Sequence, residues 1–290
     1  MAGPATRRKG LIGEDGHQEE RKRLEAEGAD SLARVFRRLL RLVVPPGSTV
    51  ETLTTEVAVQ RLHEHQDLLR DALVEMMTRT ALMGAGVGIQ QVEQILGTRK
   101  QANIGLANWD LVNQAVLAWL LGSGDGFGTG YADGVTISIV RTSEEHIRTA
   151  IGEWVRNGLP LSALVDSLEA WTFSRDRAEM VATTEVTRAY ARGNVEAWRA
   201  SGVVTGMSWR TANDERVCPI CAPLGGLEFS PDGAEPVSRE EQRQEAQRAE
   251  LDGEFQHPGG PGAAGRFQGQ AFELPPAHPR CRCWVVPLVD

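Results

Sequence analysis

Apolar residues recur every three, four or seven positions through much of the first 200 residues, and this spacing is typical of amphipathic helices. It predicts a helix over residues 33–44, which Pro45, Pro46 and Gly47 end because proline cannot continue a helix. A longer helix is predicted from a cap near residue 48 to about Met83, since its apolar positions form one stripe. The N-terminal part of the chain is therefore expected to be helical.

Two glycine-rich runs, at residues 84–88 and 122–130, interrupt these patterns. Neither run fits the register of a phosphate-binding loop, and neither precedes a Gly-Lys-Ser/Thr motif. Helical periodicity with Trp109 and Trp119 lies between them, over residues 96–121. We interpret both runs as hinges between helices, and the second run as the boundary before a C-terminal module.

Three more helices are predicted at the start of that module, over residues 142–157, 160–171 and 175–201. Thr142 and Glu145 form a capping motif for the first helix, and Gly158 ends it. Ser174 is expected to cap the third helix, because its hydroxyl can accept a hydrogen bond from the first turn. The module should therefore begin as a helical segment.

After Gly202 the apolar positions begin to alternate, which is typical of strands. Strands are predicted over residues 203–211 and 283–288, with a tight hairpin over residues 224–229. The fold class that follows is α+β and mainly α. Long N-terminal helices precede a helical segment and a small antiparallel sheet that a cysteine and histidine cluster holds together.

Composition shifts divide the chain into three expected domains, which are a basic arm with an amphipathic helix at 1–47, a helical domain at 48–130 and the module at 142–290. The module contains a charged insertion, rich in glycine and proline, at about 230–274. Its helix at 238–251 is polar on all sides, so little of it can be buried. We expect the insertion to be a mobile arm or a surface that orders against a neighbour.

The composition excludes several classes of protein. The longest apolar stretch, residues 115–121, is far shorter than the roughly 20 residues that a bilayer-crossing helix needs. The first residues lack the apolar core of a signal peptide, so we expect assembly in a cytoplasm and no membrane contact. A formal net charge of −8 argues against a protein that coats nucleic acid without specificity.

Basic residues are nevertheless concentrated near the N-terminus, where residues 1–42 carry ten Lys and Arg against seven Asp and Glu. The helix at 33–44 holds four of them: Arg34, Arg37, Arg38 and Arg41. One interpretation is a solvated face on a helix that docks on its own domain. The other is a contact with a partner or with DNA phosphates.

All four cysteines lie in the last eighty residues, in two clusters: Cys218-Pro-Ile-Cys221 and His278-Pro-Arg-Cys281-Arg-Cys283. Two such knuckles can close a tetrahedral Zn²⁺ site. The favoured ligands are the four cysteines, with His278 as the substitute because the Cys-x-Cys spacing is tight for one ion. Reduced packing thiols and disulfides are the alternatives to a structural zinc site.

Together these residues closely resemble the phage Mu F-like head morphogenesis family of minor head proteins, over roughly residues 145–288. The matching motifs are Thr184-Glu185, Arg188-Ala-Tyr, Trp209, Asp214-Glu-Arg-Val-Cys218-Pro-Ile-Cys221, Leu224-Gly-Gly and Pro275-Pro-Ala-His278-Pro-Arg-Cys281-Arg-Cys283. The resemblance implies structural roles for Glu185, Arg188, Trp209, Asp214 and Arg216.

The resemblance further implies a non-enzymatic virion protein that acts in head assembly and in DNA packaging or ejection. Its expected location is the phage head near the portal vertex, in several copies. The portal protein is the expected partner, with the major capsid or scaffolding protein and phage DNA as further candidates.

An enzyme is the competing class. A zinc deaminase would need His-x-Glu ahead of its Pro-Cys-x-x-Cys motif, and His63-Glu-His65 is not that motif. A zinc-dependent nucleic-acid-processing enzyme, similar to a nuclease, is the stronger rival. It would need a catalytic histidine beside the metal, whereas His278 fits a knuckle ligand better.

Overall fold

A computed structural model describes residues 17–97, 107–122, 130–211, 217–218, 220–229 and 274–289. These residues form seven α-helices and three strands: α1 Gln18–Val43, α2 Thr55–Glu64, α3 Asp67–Gly97, α4 Ala107–Leu121, α5 Tyr131–Asn157, α6 Leu161–Ala170, α7 Arg175–Ser201, β1 Gly206–Arg210, β2 Glu228–Phe229 and β3 Trp284–Leu288. The predicted α+β, mainly α class is confirmed. Among the described helices, none combines the length and apolar character that a membrane span requires.

The helix predicted from residue 48 to Met83 is instead two helices. Thr54 caps α2 by accepting a hydrogen bond from the Val57 N–H, and the helical conformation is lost at His65 (φ −117°, ψ 11°). The apolar stripe could not reveal this break, because the buried Leu62 and Leu69 are seven positions apart and stay in phase across it.

The prediction of a hinge at residues 84–88 is also wrong, because these residues lie inside α3. A Cβ atom at Gly84 would overlap the backbone oxygen of Tyr190, and one at Gly193 would overlap that of Ala81. Glycine at these positions lets the backbones of α3 and α7 approach closely. Residues 123–129 of the second glycine run lie outside the described residues.

Of the helix caps predicted for α5 and α7, two are confirmed and one is wrong. Thr142 lies inside α5 and its hydroxyl donates to the Ser138 carbonyl, so it is not a helix cap. Gly158 ends α5 in the left-handed conformation (φ 58°) as predicted. Ser174 accepts from the Arg177 N–H at 3.1 Å and caps α7, also as predicted.

The strands form one antiparallel sheet in the order β2-β1-β3, which confirms the predicted small sheet. Trp209 is opposite Val285 in the β1–β3 register, and Met207 is opposite Phe229 in the β1–β2 register. A short 3-10 helix, Ala222–Leu224, separates the first cysteine pair from β2. The predicted insertion at 230–274, with its charged helix, lies outside the described residues except for Leu274.

The chain divides into two compact units. The cysteine unit comprises residues 1–22, 79–116 and 183–290 and includes the sheet. Its hydrophobic core joins Val92 of α3 and Trp198 of α7 to Trp209, Val285 and all four cysteines. The helical unit comprises residues 23–78 and 117–182. The domain boundaries predicted at 47, 130 and 142 stay predictions.

A partly buried arginine, Arg177, connects α5, α7 and the loop before α7 in the helical unit. The guanidinium of Arg177 donates to the Ser143 hydroxyl at 2.8 Å and to the carbonyls of Thr172 at 2.7 Å and Ile139 at 3.1 Å. Its Cζ also lies 5.7 Å from the centroid of the Phe36 ring, within the range of a cation–π interaction. Burial lowers the pKa of Arg177 to about 10.

Candidate metal centre

Two turns of the same form present the cysteine and histidine side chains. In the Cys-x-x-Cys turn the Cys221 N–H donates to the Cys218 carbonyl at 2.9 Å. In the His-x-x-Cys turn the Cys281 N–H donates to the His278 carbonyl at 3.1 Å. The first turn follows β1 and the second precedes β3, and pairing of these two strands brings turns 60 residues apart together.

The donor atoms of the two turns face one another. Nε2 of His278 lies 3.0 Å from Sγ of Cys218 and 3.1 Å from Sγ of Cys221. Sγ of Cys221 lies 3.6 Å from Sγ of Cys281. Among the described residues, two groups of donors could hold a metal ion: Cys218, Cys221 and His278, and Cys221, Cys281 and Cys283. Cys221 belongs to both groups, so it is the centre of the cluster.

The orientation of His278 suits a ligand. Nδ1 lies 2.8 Å from the carbonyl oxygen of Pro279, and because a carbonyl can only accept, Nδ1 carries a proton. Nε2 is thereby directed at the two sulfur atoms of the first turn. A hydrogen bond from the distal ring nitrogen to a carbonyl is the usual support of a metal-binding histidine.

The cluster also shifts the protonation of its own members. Burial lowers the pKa of His278, but the hydrogen bond with Cys218 and the charges of Cys281 and Cys218 outweigh it and raise that pKa to about 9. Burial raises the pKa of Cys281, yet hydrogen bonds with Cys221 and Cys283 bring it well below its usual value. The hydrogen bond with Cys218 is the largest cause that raises the pKa of Cys221. Without an ion, these shifts favour a thiolate at Cys281 and the protonated forms of Cys221 and His278.

Three of the donor distances are close to those expected around a tetrahedral ion. From the usual bond lengths, two sulfur ligands of zinc lie about 3.8 Å apart, and a sulfur and a nitrogen ligand about 3.6 Å apart. The observed sulfur pair at 3.6 Å matches, and the two nitrogen contacts need only a small outward movement. All five side chains are buried, and the four cysteines are free thiols without a disulfide.

Two contacts from helices hold the second turn in place. The Arg280 N–H donates to the Thr184 hydroxyl of α7 at 3.0 Å, with Arg280 in the left-handed conformation (φ 61°). Arg21 of α1 donates from Nη2 to the Arg282 carbonyl at 3.3 Å and lies 5.4 Å from the Tyr190 ring centroid. Both α1 and α7 therefore position the loop that carries His278.

Sequence reasoning missed Arg21, which is only 2% exposed. One signal was present, because Arg21 precedes the buried Leu24 by three positions and so lies on the apolar stripe of α1. An arginine on such a stripe needs a buried acceptor. The carbonyl of Arg282 is that acceptor, 261 positions away.

The comparison with family models matches residues 145–286 to the family described as phage Mu protein F like protein. The chain carries a phage Mu F-like region. This match confirms the resemblance predicted from the sequence, and the region contains both turns of the cluster. No curated protein and no solved structure matches the chain.

The resemblance implied structural roles for five residues of the phage Mu F-like region, and the structure describes three of them. Glu185 and Arg188 lie one turn apart on α7, with Oε2 and Nε 4.0 Å apart. Glu185 is buried, whereas Arg188 is partly exposed. Trp209 is fully buried in the core around the cysteines. Asp214 and Arg216 lie outside the described residues.

The four arginines predicted to contact a partner or DNA are not part of the metal centre. They lie on α1 in the helical unit, and all four are exposed: Arg34, Arg37, Arg38 and Arg41. The structure therefore brings together the five predicted metal ligands and leaves the arginines as a separate surface.

Proposed function

We propose that this protein is a structural minor head protein of a tailed phage, which joins the portal vertex during head assembly in the host cytoplasm and remains in the virion in several copies. The phage Mu F-like region at 145–286 is the observation that carries this proposal. The portal protein is the proposed partner, and the major capsid or scaffolding protein the next candidate. A role in DNA packaging or ejection belongs to the same proposal.

We further propose that the cluster holds a structural Zn²⁺ ion through Cys218, Cys221, His278 and Cys281. The matching backbone hydrogen bonds make Cys-x-x-Cys and His-x-x-Cys two equivalent knuckles, each with one donor at either end. Thiolate and imidazole ligands favour zinc over magnesium or calcium. Cys283 would then support the site as a neighbouring thiol. This ligand set differs from the four-cysteine set that the sequence favoured.

The geometry supports a structural role for the ion over a hydrolytic one. A catalytic zinc keeps one coordination position open to water or substrate, whereas a structural zinc has four protein ligands. Here two groups of three donors share Cys221, and all five side chains are buried, so no donor faces open solvent. This arrangement favours the head protein over the zinc-dependent nuclease that the sequence left as the alternative.

Co-expression with the portal protein of the same phage genome, followed by size-exclusion chromatography, tests the proposed partner. We expect the wild-type chain to elute with the portal ring. The Cys218→Ser/Cys221→Ser variant should elute separately, because loss of the first knuckle releases the sheet. Cys283→Ser is the matched control and should still elute with the ring.

A wild-type chain that never elutes with the portal ring would contradict the proposed partner. If the double variant elutes with the ring as well as the wild type does, the metal centre is not needed for docking. Divalent-metal-dependent cleavage of DNA that His278→Ala abolishes without unfolding the chain would favour the nuclease instead.

A further inference from the structure

The C-terminal half of α1 presents a face made only of arginine. Arg34, Arg37, Arg38 and Arg41 follow the i, i+3, i+4, i+7 spacing that places side chains on one side of a helix. Every other residue of α1 after Asp30 is buried or partly buried. We call these four residues the arginine stripe. Its whole exposed surface is cationic, over a length of about 10.5 Å.

The first half of the same helix is different, because its basic residues have acidic partners. Lys22 lies 2.7 Å from Glu19, and Arg23 lies 3.6 Å from Glu27. Asp30, the last acid before the stripe, is paired with Arg175 at 2.6 Å. None of the four arginines of the stripe forms an ion pair with a residue that the structure describes. Their charge is therefore available to an external anion.

The chain's own acids do little to neutralise the stripe. No Asp or Glu occurs between Asp30 and Glu51 in the sequence. The net charge of −8 belongs to the whole protein, but charges farther away than the Debye length of about 8 Å are largely screened at physiological salt. A polyanion that touches the stripe therefore meets four positive charges, and the 20 residues that follow Asp30 in the sequence contain no acid.

We infer that the arginine stripe binds the phosphate backbone of double-stranded DNA, without regard to base sequence. Arginine is suited to phosphate because its planar guanidinium can donate two parallel hydrogen bonds. A protein partner would need an apolar centre to the contact as well as charge. The stripe has no exposed apolar residue, so its surface favours a polyanion over a folded protein.

Binding of purified full-length protein to a short labelled DNA duplex of mixed sequence tests this inference, with salt as the variable. Four phosphate contacts give a slope of about −3.6 in a plot of log affinity against log salt, which is about a 150-fold loss of affinity from 50 to 200 mM salt. Replacing all four arginines of the stripe by glutamine should remove most of the binding and flatten the slope. Replacing them by lysine should keep most of both.

The matched control removes the same charge elsewhere, from four other exposed arginines: Arg23, Arg141, Arg148 and Arg156. Their replacement by glutamine should leave the slope close to that of the wild type. Equal losses in the two glutamine variants, or no binding by the wild type at low salt, would overturn the inference. So would binding of the wild type to an acidic protein surface but not to DNA. The test is independent of the portal experiment, because the arginine stripe can bind DNA whether or not the portal is the partner.

Discussion

Arg177 in the helical unit and the cysteine cluster in the other unit satisfy their polar groups in different ways. In the helical unit, Arg177 directs its guanidinium at three oxygen atoms of the chain, so the fold itself supplies the partners. In the cysteine unit, five donor side chains are directed at one another, with Cys221 in contact with both groups. Oxygen acceptors satisfy a guanidinium, whereas several sulfur and nitrogen donors in one place are best satisfied by a cation. We therefore expect the stability of the cysteine unit to depend on a metal ion, and that of the helical unit not to.

Metal removal should have the largest effect on stability, and this effect should be confined to the cysteine unit. Structural zinc contributes roughly 10 kcal/mol or more of apparent binding free energy to small metal-dependent folds, so chelation should unfold the sheet. We expect amide protons of β1 and β3 to lose protection from hydrogen exchange, while those of α5 and α6 keep theirs. Hydrogen exchange with mass spectrometry, before and after chelation, measures both units in one sample.

Single substitutions identify the ligands. His278→Ala and Cys281→Ser should each lower the bound zinc measured by elemental analysis, and Cys283→Ser should lower it least. If Cys283→Ser loses zinc and His278→Ala retains it, the four-cysteine set is correct.

Because zinc needs deprotonated ligands, the affinity of the protein for zinc should fall as the pH falls. Protein prepared under reducing, chelator-free conditions that holds no zinc would refute the metal centre itself.

The close approach of α3 and α7 should stabilise the cysteine unit independently of a metal. Gly193→Ala should destabilise that unit by about 3 kcal/mol even with zinc bound, since the added methyl group would overlap the backbone of Ala81. Thermal unfolding of the zinc-loaded protein measures the change.

Gly86→Ala is the matched control for this substitution. Gly86 lies in α3, the helix that Gly193 of α7 approaches, but a Cβ at Gly86 would meet no atom within 4 Å. Alanine is the better helix former, so this variant should be more stable than the wild type by up to about 1 kcal/mol. Equal effects of the two substitutions would show that helix propensity, and not the close approach, decides the result.

Local spacing in the sequence was enough to predict the strands, the helix ends at Gly158 and Ser174, and the membership of the cysteine cluster. Each of these depends on residues a few positions apart or on a known ligand chemistry. The role of Gly84 could not be predicted, because a glycine in a helical pattern looks the same whether it bends the chain or admits a neighbouring helix. Nor could the contact between Arg21 and Arg282, which depends on the folded arrangement of the whole cysteine unit.

A smaller loss of stability than that of Gly193→Ala is expected at Arg177, where the fold supplies hydrogen-bond acceptors for the guanidinium. Arg177→Met should destabilise the helical unit by about 2 kcal/mol, because the hydrogen bonds of a charged donor are lost while the cost of burying the charge is removed. Arg177→Lys keeps the charge but not the planar fork, so its loss should be intermediate. Chemical denaturation, followed with and without chelator, should show the same change under both conditions. A methionine variant as stable as the wild type would contradict this prediction. It would mean that the free-energy cost of removing the charge from water equals the stabilisation from its three hydrogen bonds.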